Sequence, residues 1–459
     1  MQKKRIASMT AAAVMALSSA AAVIPASADT TVAAASAFET IEASTATIKF
    51  NANGGTIVGA KKKTYKKGKT LGVLPNAKKA NVVFDGWYTK KTGGKRVTYK
   101  TKLAKCTNKT FYAHYKVIDQ PHLKWKWENS YDGFQYPSNY VTPYERIRYI
   151  FDKNYADWLW ETNGFKYMPW GGNCFGMSST ASFNALGLNN LKTFNKKATY
   201  TKDIGLKNKS TKLKLTAGEF CEAAQQIQFN WGIQKMYDEH ENKYQAIANA
   251  AKRVQKKKAK PVVIGVLDRV YGGGHALLPY KFVKGSKSDK VYVYDCNYPN
   301  EKEHYVELYK NASGAYYDFR YADFHDSYTD ITYFPTATIW KVWQNRGKKA
   351  AAGMTNEERQ YYGVDSKTNA TIYDANGNVY ATIANGDVEG GDAVQLNVLA
   401  DKWIGKKMPT IVFSLPAGEY TIKSNDGSVL SASVFYNGKS VEAEGSVLSA
   451  VKGTLAVAE

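Results

Sequence analysis

The chain has 459 residues, of which 44% are hydrophobic, and this is enough for about two to four domains with buried cores. Its formal net charge of +23 excludes a weakly charged surface and favours anionic partners. Only four cysteines occur in this length, which excludes a small fold held together by disulfides.

The N-terminus has the pattern of a secretory signal peptide. Lys3, Lys4 and Arg5 precede an alanine-rich apolar run over residues 6–25, and Ala-Ser-Ala follows at 26–28. We predict a signal peptide at 1–28 and a short linker at 29–45. No second apolar segment of spanning length follows and residues 451–459 have no sorting motif. We therefore expect an exported protein without a membrane span, either soluble or held non-covalently at the cell surface.

Most of the net positive charge lies in residues 46–116. Eighteen Lys and Arg stand there against one acid, Asp85, so the segment carries 18 − 1 = +17 of the +23. An exported protein rarely meets nucleic acid, so we predict no nucleic-acid partner. Charge complementarity favours anionic cell-wall polymers or acidic surface components instead. The alternative is a basic face that is only solvated.

Short alternating strands in this segment resemble a known repeat. The stretches are Phe-Asn-Ala-Asn-Gly-Gly from Phe50, Phe-Asp-Gly-Trp-Tyr from Phe84 and Thr-Phe-Tyr-Ala-His-Tyr from Thr110. They are similar to the internalin B-type repeat, also called the Listeria–Bacteroides repeat, a β-grasp-like module of secreted and surface proteins. The resemblance implies one non-enzymatic adhesion or spacer module at residues 46–116.

Helices are predicted in the first half of the next region, residues 117–345. Apolar residues recur at helical spacing between Pro143 and Glu161. Thr216 with Glu219 three residues later forms a capping box for a helix to Phe229, and a further helix is predicted over residues 241–256.

A glycine turn at 171–172 leads to Cys174 at the start of another predicted helix, which runs to Leu186. Unpaired N–H groups and the helix dipole at this position favour thiolate over thiol. Cys174 is therefore a candidate nucleophile, and the alternative is an unreactive buried cysteine.

The second half of this region is predicted to be strands. Buried or alternating runs occur at 261–267, 275–283 and 290–295, and runs at 305–309, 316–320 and 330–334 can continue a meander. Helices followed by antiparallel strands indicate an α+β domain.

A cysteine nucleophile needs a base, and the base needs a group that orients it. His275 follows three glycines at the head of one strand, and Asp295 ends the next strand. Antiparallel neighbours would place the two side by side. We predict Cys174, His275 and Asp295 as catalytic residues, with Asn297 as the alternative orienting residue.

Three motifs in this order resemble papain-like cysteine peptidases. They are Gly-Asn-Cys-Phe-Gly-Met-Ser at Cys174, Gly-Gly-His-Ala-Leu at His275 and Tyr-Asp-Cys-Asn-Tyr-Pro at Asp295. The cysteine–histidine gap is 275 − 174 = 101 residues, against about 130 in the papain branch. The gap indicates a divergent bacterial member, similar to double-glycine-type peptidases. Those enzymes use aspartate as the third residue, which favours Asp295 and implies a papain-like domain at 117–345.

The oxyanion donor of the resembled family is missing from its usual place. Papain-like enzymes carry a glutamine a few residues before the cysteine, but Met168 lies six positions before Cys174 and no glutamine occurs between Gln135 and Cys174. Either Gln135 or Asn173 substitutes, or backbone N–H groups at Cys174 act alone.

No metal or cofactor site is predicted. The other histidines form no pair with metal-ligand spacing, and the glycines at 272–274 lead into a histidine rather than a phosphate loop; these histidines are His114, His122, His240, His304 and His325. Apart from Cys174, the cysteines allow at most one disulfide, with Cys221–Cys296 as the candidate, although Cys296 is expected to point into the core.

The C-terminal region is predicted to be all β. A polar, helical-looking stretch from Gln344 to Lys367 suggests a linker at 346–365. Strands at short spacing follow, with an Asn-Gly turn at 376–377, and they predict a small β-sandwich at 366–459 with a role in support or ligand binding.

These predictions describe a multidomain chain with a β-grasp-like repeat, an α+β papain-like catalytic domain and a small all-β sandwich. We expect an exported cysteine peptidase that cuts protein or peptide substrates through an acyl-enzyme. The alternatives are a surface-binding or adhesion protein whose papain-like domain does not cut, a peptidoglycan amidase or endopeptidase, and a transglutaminase-like transferase. The ordered nucleophile, base and orienting residue favour the peptidase.

Overall fold

The computed structural model describes residues 44–237, 242–269, 272–321, 328–354, 359–400 and 410–458. The predicted signal peptide at 1–28, most of the linker at 29–45, His240 and His325 lie outside these ranges. Among the described helices, none combines the length and apolar character needed to cross a membrane.

The N-terminal module is a small β-sheet with one apolar face. Five strands pair in the order β3-β1-β7-β5-β6, with β1 and β7 parallel. Ala46, Ile48 and Phe50 alternate into a core with Trp87 and Phe111. The strands are β1 (Thr45–Asn51), β2 (Thr56–Val58), β3 (Lys62–Lys66), β4 (Asn76–Lys78), β5 (Val83–Tyr88), β6 (Arg96–Val97) and β7 (Lys109–Lys116).

The first half of the middle module is helical, as predicted. Its α-helices are α1 (Gln120–Leu123), α2 (Tyr131–Phe134), α3 (Tyr144–Ile150), α4 (Lys153–Asp157), α5 (Cys174–Ala185), α6 (Ala217–Gln225), α7 (Trp231–Gln234) and α8 (Lys243–Gln255). The helix expected between Pro143 and Glu161 is divided, because the Asp152 carboxylate accepts the N–H groups of Asn154 and Tyr155 and starts α4. The capping box of Thr216 and Glu219 opens α6 as expected.

An antiparallel sheet follows the helices. Its strands are β8 (Val262–Leu267), β9 (Gly274–Val283), β10 (Ser288–Asp295), β11 (Tyr305–Lys310), β12 (Tyr316–Tyr321) and β13 (Asp330–Pro335), and α9 (Thr336–Gln344) comes next. The order is β12-β11-β10-β9-β8-β13. β13 thus differs from the expected meander, because it pairs with β8 at the opposite edge. All six residues of β8 are buried, and β9 and β13 pair with its two edges.

Helix α5 is the central packing element of the middle module, and all twelve of its residues are buried. On one side, the Ser178 hydroxyl donates to the Ala276 carbonyl of β9 at 3.1 Å. On the other side α5 lies so close to α6 that a Cβ on Gly176 would be 1.9 Å from the Cys221 carbonyl oxygen. This glycine therefore permits the contact that holds the start of α5 in place.

The C-terminal module is a two-sheet β structure. Its strands are β14 (Arg359–Asp365), β15 (Ala370–Asp374), β16 (Val379–Ala384), β17 (Asp387–Glu389), β18 (Val394–Gln395), β19 (Thr410–Pro416), β20 (Glu419–Ser424), β21 (Leu430–Tyr436), β22 (Lys439–Gly445), β23 (Val447–Val451) and β24 (Thr454–Val457). One sheet has the order β18-β19-β14-β21-β22 and the other β17-β16-β15-β20-β23-β24.

Strand β14 lies inside the stretch that the sequence suggested as a linker, 346–365. It is a central strand between β19 and β21. Tyr362 and Val364 belong to the sandwich core, whereas Tyr361 belongs to the core of the middle module. The strand is thus buried on both faces, and its tyrosines serve as core residues despite their polar hydroxyls.

We expect Gly176→Ala to destabilise the fold. The new Cβ would lie 1.9 Å from the Cys221 carbonyl oxygen and 2.7 Å from the Gln225 nitrogen, and overpacking of this kind costs about 1–3 kcal/mol. The free energy of unfolding, measured by urea titration, should fall by this amount. In the control Gly205→Ala the nearest atom is 3.5 Å away, and little change is expected. Equal effects in both variants would refute the close α5–α6 contact.

Candidate active site

The Cys174 thiol lies at the first residue of α5 and is fully buried. Gly172 precedes it with φ +109°, a conformation that favours glycine. The Asn173 N–H donates to Asn129 Oδ1 at 2.6 Å, which fixes the entry into the helix. The N–H groups of the first turn and the helix dipole favour a thiolate at this position.

His275 and Asp295 form a buried pair on neighbouring strands. In the β9–β10 register Asp295 lies opposite Leu277, two residues from His275, so both side chains lie on the same face. His275 Nε2 is 2.8 Å from Asp295 Oδ1. The Asp295 carboxylate also accepts the Asn297 N–H at 2.7 Å and the Tyr321 hydroxyl. The carboxylate is thereby hydrogen-bonded on both oxygens.

The electrostatics of the pair favour its charged form. Burial lowers the pKa of His275, but the charge and hydrogen bond of Asp295 and the contact with Cys174 outweigh burial and raise it well above its ordinary value. Burial raises the pKa of Asp295, but the charge and hydrogen bond of His275 and the Tyr321 hydrogen bond lower it overall. An imidazolium beside a carboxylate is the expected state.

The structure brings the three predicted residues together. Asp295 Oδ1 pairs with Nε2 of His275, so the buried Nδ1 is the ring nitrogen available to Cys174. The hydrogen bond between Cys174 and His275 contributes to the raised pKa of the histidine. The side chain of Asn297, the alternative orienting residue, accepts a hydrogen bond from Asn129 Nδ2 at 3.1 Å. Asn129 therefore joins the loop before Cys174 to the loop after Asp295.

A glutamine that follows the cysteine in sequence has its side-chain amide beside the thiol. Gln225, at the end of α6, accepts the Gly176 N–H on Oε1 at 2.8 Å. Its Nε2 donates at 2.7 Å to the Leu399 carbonyl, and the Cys174 thiol donates to the same oxygen at 3.5 Å. The amide of Gln225 is thus aimed at a carbonyl oxygen beside the thiol.

The two oxyanion candidates from the sequence are placed differently. Gln135 is exposed at the end of α2, whereas the thiol is fully buried. The side chain of Asn173 is buried next to Cys174, and its amide atoms have no hydrogen-bond partner among the described residues. Sequence reasoning missed Gln225 and Asn129 because neither belongs to the local motifs around Cys174, His275 and Asp295.

A segment of the C-terminal module covers the site. We call residues Val394–Ala400 the strap. Leu396, Val398, Leu399 and Ala400 belong to the same buried core as Cys174. Beneath the strap, Cys174 is 0% and His275 1% exposed.

The four cysteines, all within the described ranges, are outside any disulfide. The candidate Cys221–Cys296 bridge is therefore absent. Cys221 lies between α5 and α6, where Thr180 Oγ1 is 3.4 Å from its sulfur, and burial raises its pKa. Cys296 is buried beyond the end of β10, as expected. Burial and a raised pKa make Cys221 an unreactive thiol.

One cluster has metal-ligand chemistry. The ligand atoms of His275, Asp295 and Cys296 lie within 4.8 Å of one another, and zinc accepts all three donor types. The sequence predicted no metal site. Nε2 of the histidine and Oδ1 of the aspartate already bond each other, so a metal ion would have to break this pair.

The other described histidines have structural partners. His114 stacks on Tyr88, and His122 pairs with Asp119. His304 is buried and bonds Glu301 at 2.8 Å. These contacts are local packing and pairing.

Comparison with known families identifies the N-terminal module. The model of the Listeria-Bacteroides repeat domain matches residues 47–114, which confirms the repeat predicted at 46–116. This repeat is typical of extracellular or surface proteins. Comparison with curated proteins gives no match for the chain.

The His275–Asp295 pair should make stability depend on pH. The pKa of His275 is raised on folding, so its contribution is present below its ordinary value of 6.5 and is lost as the pH rises through the raised pKa. The pKa of Asp295 is lowered, so its contribution is present above 3.8 and is lost as the pH falls through the lowered pKa. The stability gained from the pair should therefore be largest between about pH 4 and 6.5.

The measurement compares wild type with the neutral double variant His275→Gln/Asp295→Asn by urea unfolding across pH. We expect the difference in free energy of unfolding to decline on both sides of that window. A difference that does not change with pH would contradict a charged pair.

Proposed function

We propose that the chain is an exported papain-like cysteine peptidase that cuts peptide bonds through an acyl-enzyme. The observation that carries the proposal is the buried His275–Asp295 pair, with Nε2 and Oδ1 2.8 Å apart, next to the Cys174 thiol at a helix N-terminus. Nucleophile, base and orienting residue follow one another in the chain order of the family that the motifs resemble.

Each residue has a role in this reaction. The Cys174 thiolate attacks the substrate carbonyl carbon, and His275 gives its proton to the leaving nitrogen. Asp295 holds the imidazole by Nε2 and balances its charge. Gln225 Nε2, which already donates to a carbonyl oxygen beside the thiol, stabilises the oxyanion. Water then releases the acyl group with His275 as general base.

The basic charge supports binding at an anionic surface. A cleft of about 430 Å³ lies between the repeat and the middle module, and its wall includes Arg96, Lys126, Lys192, Lys196, Lys197 and Lys202. Asp203 is the acid in its lining. We propose that this cleft and the repeat hold the exported enzyme on anionic cell-wall polymers, since clustered cations steer and retain such chains.

One observation favours a second candidate. The nucleophile and base are nearly inaccessible beneath the strap, as expected of a surface-binding protein whose papain-like domain does not cut. A peptidoglycan endopeptidase is a variant of the first candidate, and the basic cleft is compatible with that substrate.

Thiol labelling tests the peptidase. The full chain and Leu399→Gly, which removes the side chain packed over the site, are treated with iodoacetamide and an epoxide-type thiol alkylator, and the adducts are mapped. Cys174 should react faster than the equally buried Cys221, because only Cys174 has a helix N-terminus and His275 beside it. Casein and peptidoglycan digestion by Leu399→Gly should fall at least about 10³-fold when Cys174→Ala is added.

Two results would refute the peptidase. One is labelling of Cys221, Cys106 or Cys296 in preference to Cys174. The other is digestion that is unchanged by Cys174→Ala.

A charge reversal tests the cleft. Lys196→Glu/Lys197→Glu changes two exposed lysines of its wall, and we expect at least about tenfold weaker binding to isolated anionic wall polymer at low salt. The control Lys256→Glu/Lys258→Glu changes the same charge at exposed positions outside the lining. Co-sedimentation with the polymer at two salt concentrations measures the binding of both double variants. Equal losses of binding would show that net charge alone, and not the cleft, determines it.

A further inference from the structure

The strap leaves the sandwich and continues across the active site. At its start, β18 pairs with β19, and the Leu396 N–H donates to the Val412 carbonyl at 2.7 Å. Beyond Leu396 its backbone bonds side chains of the middle module instead of a strand. The chain therefore passes from one module to the other over a few residues.

Three glutamines bind the strap through its backbone. Asn397 donates its N–H to Gln234 Oε1 at 2.7 Å and accepts from Gln234 Nε2 at 2.9 Å. Leu399 donates its N–H to Gln228 Oε1 at 2.7 Å and accepts from Gln225 Nε2 at 2.7 Å. Alternate residues thus present both backbone groups to one wall, as an extended peptide does when it is bound in a groove.

The Leu399 side chain fills a socket formed by two glycines. A Cβ on Gly265 would lie 3.1 Å from a Leu399 methyl carbon, and a Cβ on Gly274 would lie 2.9 Å from one. These residues are on paired strands, β8 and β9, and Gly274 precedes the catalytic His275. The missing side chains leave room for a branched apolar group directly beside the base.

The Leu399 carbonyl lies where a substrate carbonyl would react. Its oxygen is 3.5 Å from Cys174 Sγ and 2.7 Å from Gln225 Nε2. Cys174 Sγ and Gln225 Nε2 therefore contact the same carbonyl oxygen, and the carbonyl carbon is one C=O bond, about 1.23 Å, from it. Because reacting atoms must approach to about 3–3.5 Å, Sγ has to move from the oxygen towards this carbon for attack.

We propose that the Leu399–Ala400 peptide bond is cut by Cys174 of the same chain. The strap lies along the wall formed by the three glutamines, in the groove that binds the part of a substrate before the cut bond. The glycine socket selects leucine or a similar branched apolar residue at the position immediately before that bond. The proposal rests on the proposed peptidase function and adds to it both a substrate preference and a processing site.

The reaction consumes one water molecule and involves no oxidation or reduction. Cys174 Sγ bonds to the Leu399 carbonyl carbon, the C–N bond to Ala400 breaks, and His275 gives its proton to the Ala400 nitrogen. Water, deprotonated by His275, then attacks the thioester and Sγ leaves as thiolate. The Leu399 carboxylic acid passes its proton to the Ala400 amine, so the products are a Leu399 carboxylate and an Ala400 ammonium group, with the imidazolium–thiolate pair restored.

The cut would open the site without releasing the C-terminal fragment. Strand β14, before the strap, pairs with β19 and β21, which follow it, and β15 pairs with β20. These strand pairs hold the two fragments together. The strap, in contrast, becomes a chain end attached only through β18, and it can leave the groove so that other peptides enter.

Self-cleavage is tested with the full chain by denaturing electrophoresis, intact mass and N-terminal sequencing. We expect two fragments with a new N-terminus at Ala400, which co-elute in native size exclusion, and a cleavage rate that is independent of protein concentration. Cys174→Ala should be cut at least about 10³-fold more slowly, including when wild type is mixed with it.

A matched pair of strap variants tests the socket. Leu399→Gly should slow the cut at least about 10²-fold because the socket is left empty. Val398→Gly makes the same backbone change at the neighbouring position and should cut at a rate close to wild type. Circular dichroism and thermal unfolding show that both variants are folded.

A peptide substrate separates the peptidase function from self-cleavage at Leu399–Ala400. The Leu399→Gly variant is assayed for hydrolysis of the coumarin amide of Leu-Asn-Val-Leu, the sequence of residues 396–399. Turnover of this peptide with an uncut wild-type chain would overturn self-cleavage and leave the peptidase intact. Absence of both turnover and cleavage would refute the peptidase and the processing site together. Cleavage at another bond, or equal cleavage of Cys174→Ala, would overturn the processing site.

Discussion

A charge buried away from water requires a nearby partner, and the His275–Asp295 pair imposes this requirement on the middle module. The Asp295 carboxylate receives an imidazole, a backbone N–H and the Tyr321 hydroxyl. These donors come from β9, from the turn after β10 and from the end of β12. The sheet register must therefore hold three separate parts of the chain at one carboxylate, and a shift of one residue would leave it unsatisfied.

Much of this arrangement could be predicted from sequence because its determinants are local. Alternation and capping boxes set β8, β9, β10 and α6, and adjacent strands place His275 beside Asp295. Gln225 could not be recognised in the same way, because a single glutamine at the end of a helix has no distinguishing pattern. Its role comes from the packing of α6 on α5 through Gly176. The position of the strap is even harder to predict from sequence, because the strap belongs to another module.

The boundary between the middle module and the C-terminal sandwich shows a second feature that could not be predicted from sequence. The polar, helical-looking stretch from Gln344 to Lys367 suggested a linker, yet β14 within it is buried on both faces and contributes to two cores. Whether a tyrosine faces solvent or a core depends on what packs against it, and hydropathy does not encode this. The glycines before His275 are an intermediate case. They are visible in the sequence before His275, but only the fold shows that a Cβ on Gly274 would meet the Val266 carbonyl oxygen and the Leu399 side chain.

The placement of the strap between two strands of one sheet has a thermodynamic consequence. In the sequence the strap begins in β18 and leads on to β19, so it contacts the site as an intramolecular ligand at a high effective concentration, and a peptide substrate of the proposed peptidase would have to compete with it. The energy that holds the strap in the groove is also part of the energy that folds the sandwich. By linkage, any partner that binds the sandwich more tightly with the strap released shifts the groove towards its open state.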